Sequence, residues 1–354
     1  MPLRGQANVQ GACDLGALPN VYPGYQRVDD PVVKNKFEQA WGVELSTQIG
    51  LPVSLYPEEA LRGKLKALYI MGENPLMTEA NLNQVKLGLQ KLEFLVVQSI
   101  FLSETAEIAD VVLPATAAYE KEGTFTNTDR TVQLLRPAKN PPRGTRNDWE
   151  IVCAVAQEMG YKMSYHGPAE IMDEIAQLTP SYQGITYERL KKGGLQWPCL
   201  DKKHPGTPYL YKDYVFKRKN SKALFHAVKY KTPSELPDKE YPFILTTGRI
   251  LYHFHSGNET RRVKVLQQHV PFNYVEVNPV DAQRLKLNEG EMVKVKTRRG
   301  EIRLQVRIST QPKPGVIFIP FHFKEAAANI LTNSALDPIS KIPEFKVCAA
   351  RIEK

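Results

Sequence analysis

Ala67-Leu68-Tyr69-Ile70-Met71, stopped at once by Gly72-Glu73-Asn74-Pro75, is the stretch whose reading decides the fold class. It is a continuous apolar run of strand length ending in turn residues. Thr78 follows as a candidate cap, and Leu82, Val85, Leu89 and Leu92 recur at spacings of three and four, which predicts one apolar helix face. Phe94-Leu95-Val96-Val97 is a second strand ending at Gln98-Ser99, a short helix is expected from about Ser103 to Ala109, and Val111-Val112-Leu113 is a third strand stopped by Pro114. Apolar strands separated by helices predict a parallel, doubly wound α/β sheet covered on both faces. Right-handed crossovers align the strand C-terminal ends along one edge, the usual ligand side of such sheets. That edge carries Gly72, Asn74, Ser99 and Pro114. They read either as plain turns or as a backbone that a ligand can approach closely.

Downstream, Asn147-Asp148 opens a helix with Trp149, Val152, Val155 and Met159 on one face and Gly160 as its stop, so Asp148 is expected as a plain N-cap. Helices are expected near Ala169–Leu178, with Ile171, Ile175 and Leu178 inward, and near Tyr187–Lys192. From Tyr241 the period changes to two. Val293 and Val295 alternate with Lys294 and Lys296, and Ile302, Leu304, Val306 and Ile308 alternate with Arg303, Gln305 and Arg307. Short alternating strands with turn signals predict a β-barrel. The expected division is an α/β domain over 1–165, a linking excursion over 166–238 and a barrel over 239–354.

The 354 residues are 42% hydrophobic and 24% charged, a globular mixture. No apolar run approaches the roughly 20 residues of a membrane-spanning helix, and the first residues lack an apolar signal segment. A cytoplasmic location is the expectation. The four cysteines, Cys13, Cys153, Cys199 and Cys348, are scattered without a C-x-x-C pair. That argues against a disulfide scaffold, a zinc ribbon or an iron–sulfur cluster held by this chain alone. The net charge of +9 suits phosphate-bearing partners. Much of the excess lies between Lys202 and Lys231, read as a solvated linker; no nucleic-acid motif accompanies it.

Two segments are too polar for core. Thr246-Thr247-Gly248-Arg249 with Tyr252-His253-Phe254-His255-Ser256-Gly257-Asn258 suits phosphate oxygens, which need many donors. Two histidines two apart on an extended segment would also project the same way, but no further metal ligand stands nearby, and no metal-binding residue is assigned. Arg4-Gly5-Gln6-Ala7-Asn8-Val9-Gln10-Gly11-Ala12-Cys13-Asp14-Leu15-Gly16 reads either as a frayed end or as a ligand-facing loop. P-loop, hydrolase-elbow and zincin motifs are absent.

Together these stretches resemble the molybdopterin oxidoreductases of the formate dehydrogenase type. The resemblance is carried by Arg4–Gly16, Tyr69-Ile70-Met71-Gly72-Glu73-Asn74-Pro75, Ala109–Pro114, Glu120–Asn127, Thr247-Gly248-Arg249 with Tyr252-His253, and Pro343-Glu344-Phe345-Lys346. Their order over nearly the whole chain makes the combination specific. The resemblance covers only the C-terminal half of the family's catalytic subunit. The upstream part, with its 4Fe–4S cluster, metal-ligating cysteine or selenocysteine and histidine, has no counterpart here, and Met1 falls at a position interior to the family. A split gene product, a truncation or an excised piece is expected. The resemblance implies two molybdopterin guanine dinucleotides with molybdenum or tungsten, formate as substrate, oxidation to CO2, and partners in the N-terminal half of the subunit and in electron-transfer subunits. It implies that Arg4 orients the formate carboxylate with Gln6 beside it. It also implies that Gly72, Asn74, Thr78, Ser99, Pro114 and Asp148 lie near one nucleotide, Asp148 taking the guanine N–H groups. Thr247, Arg249, His253, Ser256, Asn329 and Lys346 would hold the other nucleotide or the pterin, with His255 and Asn258 less conformed to the pattern. A nitrate reductase relative and a binding module without turnover are the alternatives.

Overall fold

The computed structural model describes residues 4–354 except 213, 217–219 and 221, so Asp213, Lys217, Arg218 and Lys219 of the basic stretch lie outside the described residues. The chain forms two compact units, each built from two separate stretches: residues 1–52 with 114–229, and residues 53–113 with 230–354.

In the first unit the polar N-terminal segment is a helix, α1 (Val9–Asp14), rather than a frayed end. Asn8 Oδ1 accepts the Thr126 amide at 3.0 Å and ties α1 to the strand Gly123–Thr126. A Cβ at Gly11 would stand 2.2 Å from Asn8 Oδ1 and push that side chain away from Thr126. The strands are the short pair β1 (Val21–Tyr22) and β2 (Gln26–Arg27), and an antiparallel sheet of β6 (Gly123–Thr126), β7 (Thr131–Leu135) and β8 (Leu195–Gln196). Asp30 caps α2 (Pro31–Trp41) by accepting the Val32 amide at 2.9 Å. Residues 166–199 do more than link. Met172, Tyr182, Ile185, Tyr187, Leu190 and Cys199 form one core with Val132 of β7.

In the second unit β3 (Ala67–Met71) and β4 (Phe94–Ser99) pair in parallel, and β5 (Val111–Pro114) completes a three-stranded sheet. The helix α5 (Leu82–Lys91) buries Leu82, Val85 and Leu89 as its spacing predicts. Thr78 does not cap it: that place belongs to Asn81, and the Thr78 hydroxyl donates back to the Asn74 carbonyl at 3.3 Å. Gly88 lets α5 approach the short helix α3 (Tyr56–Leu61); a Cβ there would sit 2.8 Å from the Pro57 backbone. The expected cover on both faces is not seen, since Tyr69, Met71, Phe94 and Val112 are exposed. The expected helix over Ser103–Ala109 shrinks to a single tight turn, Ala106–Ile108.

The second stretch of this unit closes a six-stranded barrel in the order β10–β12–β11–β14–β9–β13. The strands are β9 (Phe243–Gly248), β10 (Tyr274–Val277), β11 (Met292–Lys296), β12 (Glu301–Ile308), β13 (Val316–Pro320) and β14 (Cys348–Glu353). Its core takes the alternate residues Ile302, Leu304 and Val306 of β12 together with Val293, Val295, Ile317 and Ile319. The barrel and residues 53–113 share one unit because Met77 and Leu82 pack on Ala327 and Ile330. No helix among the described residues is long and apolar enough to cross a membrane.

Candidate functional site

In the second unit the end of β3 and the barrel loops build a continuous polar cluster. Gly72 donates its amide to the Gln98 carbonyl at 2.8 Å, and Asn74, 3% exposed, sits at the start of a single helical turn, Pro75–Thr78. The Asn74 amide group donates to Glu104 Oε2 at 2.7 Å and to Asn258 Oδ1 at 3.4 Å. Its carbonyl accepts both the amide and the hydroxyl of Thr105, at 3.2 and 2.8 Å. Burial opposes ionisation of Glu104, yet its own backbone amide, Asn74 and Lys324 hold the carboxyl below its ordinary value. Ser99 closes β4 and its hydroxyl faces the Phe101 amide at 3.5 Å.

Around this cluster Met77, Glu104, Ser256, Asn258, Arg262 and Lys324 border a cleft of about 280 Å3. Arg261 forks onto Glu325 at 2.9 and 3.0 Å, Arg262 lies 4.4 Å from the centre of the Phe101 ring, and Lys324 reaches Glu104 at 3.3 Å. Asn329, 3% exposed, donates to the carbonyls of Met77 and Thr78 at 3.1 and 3.3 Å. Its buried Oδ1 has no partner in the structure. An unmet buried acceptor costs about 1–3 kcal/mol, so such a group calls for an N–H or O–H donor.

A second cluster gathers at the end of β9. Thr247 donates its hydroxyl to the Phe345 carbonyl at 2.9 Å, and Lys346 donates to the Thr247 carbonyl at 2.5 Å. Burial, then the charge of Arg249, pushes the Lys346 pKa down and lowers that of His255. Arg249 is exposed, stacked over Phe254 at 5.4 Å, and borders a cleft of about 750 Å3 with Thr246, Tyr252, Tyr274, Glu276 and Arg307. His253 is buried; its ring nitrogens meet Thr260 Oγ1 at 3.3 Å and the Val270 carbonyl at 3.1 Å. The two histidines do not share an extended segment: the chain turns here and His255 has φ of +48°.

The remaining predicted residues lie in the first unit. Pro114 closes β5 and its carbonyl accepts the Arg146 amide at 3.2 Å. Asp148 is the first residue of helix α6 (Asp148–Glu158), not its cap; Asn147 takes that place, its amide bonded to Glu150 at 2.9 Å. The Asp148 carboxylate pairs with Lys121. The inward residues of α6 are Ile151 and Cys153, and Met159 is 82% exposed, so the face read from the spacing is displaced. Arg4 donates to the Tyr25 hydroxyl at 2.7 Å, and Gln6 starts the turn into α1.

Sequence reading missed Glu104, Thr105, Arg261, Arg262, Lys324 and His322. The paired basic residues after Thr260 and the Pro320-Phe321-His322-Phe323 run, polar within an apolar setting, were the available signals.

Comparison with known proteins matches residues 4–158 to the family described as Molybdopterin oxidoreductase and residues 243–349 to the Molydopterin dinucleotide binding domain. The chain thus carries a molybdopterin oxidoreductase domain followed by a dinucleotide-binding domain. All of it aligns, at 52% identity, with 52% of a formate dehydrogenase subunit alpha of Methanocaldococcus jannaschii. It is 41% identical over 99% of its length to formate dehydrogenase H of Escherichia coli, covering 50% of that protein. The chain thus spans about half the length of these curated relatives. Its fold is similar to that of the acetylene hydratase of Pelobacter acetylenicus, with a TM-score of 0.67 over 91% of this chain and 49% of the other, at 19% identity.

Proposed function

We propose that this chain is the cofactor-holding C-terminal part of a formate dehydrogenase catalytic subunit, and that it holds two molybdopterin guanine dinucleotides and orients formate for oxidation to CO2. The observation that carries this reading is the cleft bordered by Ser256, Asn258, Arg262 and Lys324 at the end of β3, a lining rich in cationic and polar donors. A nucleotide fits this lining: its phosphates suit Arg262, Lys324 and Ser256. When bound, the metal–pterin group supplies the two-electron chemistry that converts formate to CO2 and a proton.

The chain's own residues bind and orient. Asn74, locked by Thr105 and Glu104, presents a fixed turn at the end of β3. Asp148, paired with Lys121, presents its carboxylate to the guanine N1–H and N2–H groups. Thr247 and Lys346 fix the strand end from which Arg249 projects. Arg4 offers a planar guanidinium to the formate carboxylate, with Gln6 as a second donor. The 4Fe–4S cluster and the direct metal ligand belong to the other half of the subunit, and electron-transfer subunits and a cytoplasmic setting complete the proposal. Co-producing the chain with the missing half tests it. Metal content and formate-dependent dye reduction are the expected results; pterin nucleotide bound without any turnover would favour a carrier role, and absence of both cofactor and turnover would refute the reading.

A further inference from the structure

Asp14 is fully buried, and four side-chain donors converge on it. Gln10 and the Tyr25 hydroxyl reach Oδ1 at 2.6 and 2.7 Å; the Tyr182 hydroxyl and the Trp197 indole N–H reach Oδ2 at 2.8 and 2.6 Å. Tyr182 and Trp197 approach from the core, and half-buried Gln10 also donates to the Tyr25 hydroxyl at 3.3 Å. The Tyr25 arm leads on to Arg4, because the same hydroxyl accepts the Arg4 guanidinium N–H at 2.7 Å. Tyr25 holds this place at φ of +59°, a left-handed conformation that costs a residue with a side chain about 1–2 kcal/mol. Gly24 anchors the turn by donating its amide to the Asp14 carbonyl at 2.6 Å. Such conformations persist where the surroundings over-determine them, and they gather at functional sites.

The chemistry of the relay is specific. No carboxylate among the described residues lies within ion-pair distance of Arg4. A carboxylate placed directly on the guanidinium would compete with an incoming anion for the same fork. A neutral phenol interposed between them fixes one edge of the fork and leaves its charge and other N–H groups available. We propose that Tyr25, itself oriented by Asp14, is the positioning residue that aims Arg4 at the carboxylate substrate. This rests on the reading of Arg4 as the formate-orienting residue.

The test uses the assembled subunit carrying Tyr25→Phe, which removes only the hydroxyl. Kinetics with formate are paired with calorimetric titration by nitrate, a planar anion that cannot give up a hydride. A bond to a charged group of this kind is worth roughly tenfold or more in binding. The expected result is that formate KM and nitrate Kd both rise about tenfold while kcat changes far less. In an Arg4→Ala background the same substitution should add nothing, because Tyr25 acts through Arg4. If Arg4→Ala weakens formate and Tyr25→Phe does not, or if the two effects simply add, the relay is overturned and the role of Arg4 stands. If Arg4→Ala leaves formate KM, nitrate Kd and kcat untouched, both fall. Should Tyr25→Phe fail to fold, 3-fluorotyrosine at position 25 keeps the shape and ionises at lower pH. A phenolate would neutralise Arg4, so formate KM should then rise at alkaline pH where the unmodified protein stays flat; parallel profiles would overturn the proposal.

Discussion

His322 shows how one side chain's protonation is set by its neighbours. Nδ1 donates to the His255 carbonyl at 2.5 Å and Nε2 accepts the Ile250 amide at 3.1 Å, so only the neutral ring satisfies both partners. Burial pulls its pKa from 6.5 to about 4. Above pH 6.5 neither the folded nor the unfolded chain carries the proton. As pH falls toward 4 only the unfolded chain takes it up, so stability falls by up to about 1.4 kcal/mol per pH unit. Denaturant unfolding at pH 7 and pH 5 should show this residue contributing about 2 kcal/mol of loss, and His322→Gln should flatten the dependence by that amount. Equal pH dependence in the two proteins would show that His322 is not held neutral. At this scale the motifs singled out Asn74, Thr247 and Lys346, whose hydrogen bonds gather at strand ends. The sequence was silent on Asp14 with Tyr182 and Trp197, because partners 168 and 183 positions apart leave no local spacing to read.

Elements were legible in proportion to how strictly one period governs them. In β12 the alternation of Ile302, Leu304 and Val306 with Arg303, Gln305 and Arg307 matches its buried and exposed residues one for one. In α6 the apolar residues surround much of the helix, so spacing left two candidate stripes, and packing chose Ile151 and Cys153. The three-stranded sheet was legible in strand positions but not in its cover. Contact between α3 and α5 makes a sharp prediction. Gly88→Ala would gain about 1 kcal/mol of helix propensity on an open surface. Against the Pro57 backbone at 2.8 Å it should instead destabilise the protein by about 1–3 kcal/mol in denaturant titration. A stabilised variant would mean that the two helices are not so closely apposed.

At the scale of the whole molecule the two compact units interleave along the chain, and the second begins again at Tyr230. The described residues of the preceding basic stretch form no regular element beyond short turns, and Tyr209, Tyr214, Phe225 and Val228 are exposed there. Brief trypsin treatment should therefore cut at Lys222, Lys229 or Lys231 before Lys294 or Arg303 inside the barrel, as intact-mass analysis would show. First cleavage within the barrel would contradict this assignment of order. The most direct measurement of the central claim, that these donor-rich loops hold a pair of pterin dinucleotides, is the nucleotide released by acid hydrolysis of the assembled subunit. Two guanine nucleotides per subunit, reduced when Arg262→Ala and Lys324→Ala are combined, is the expected result. No nucleotide, or one bearing a different base, would contradict it.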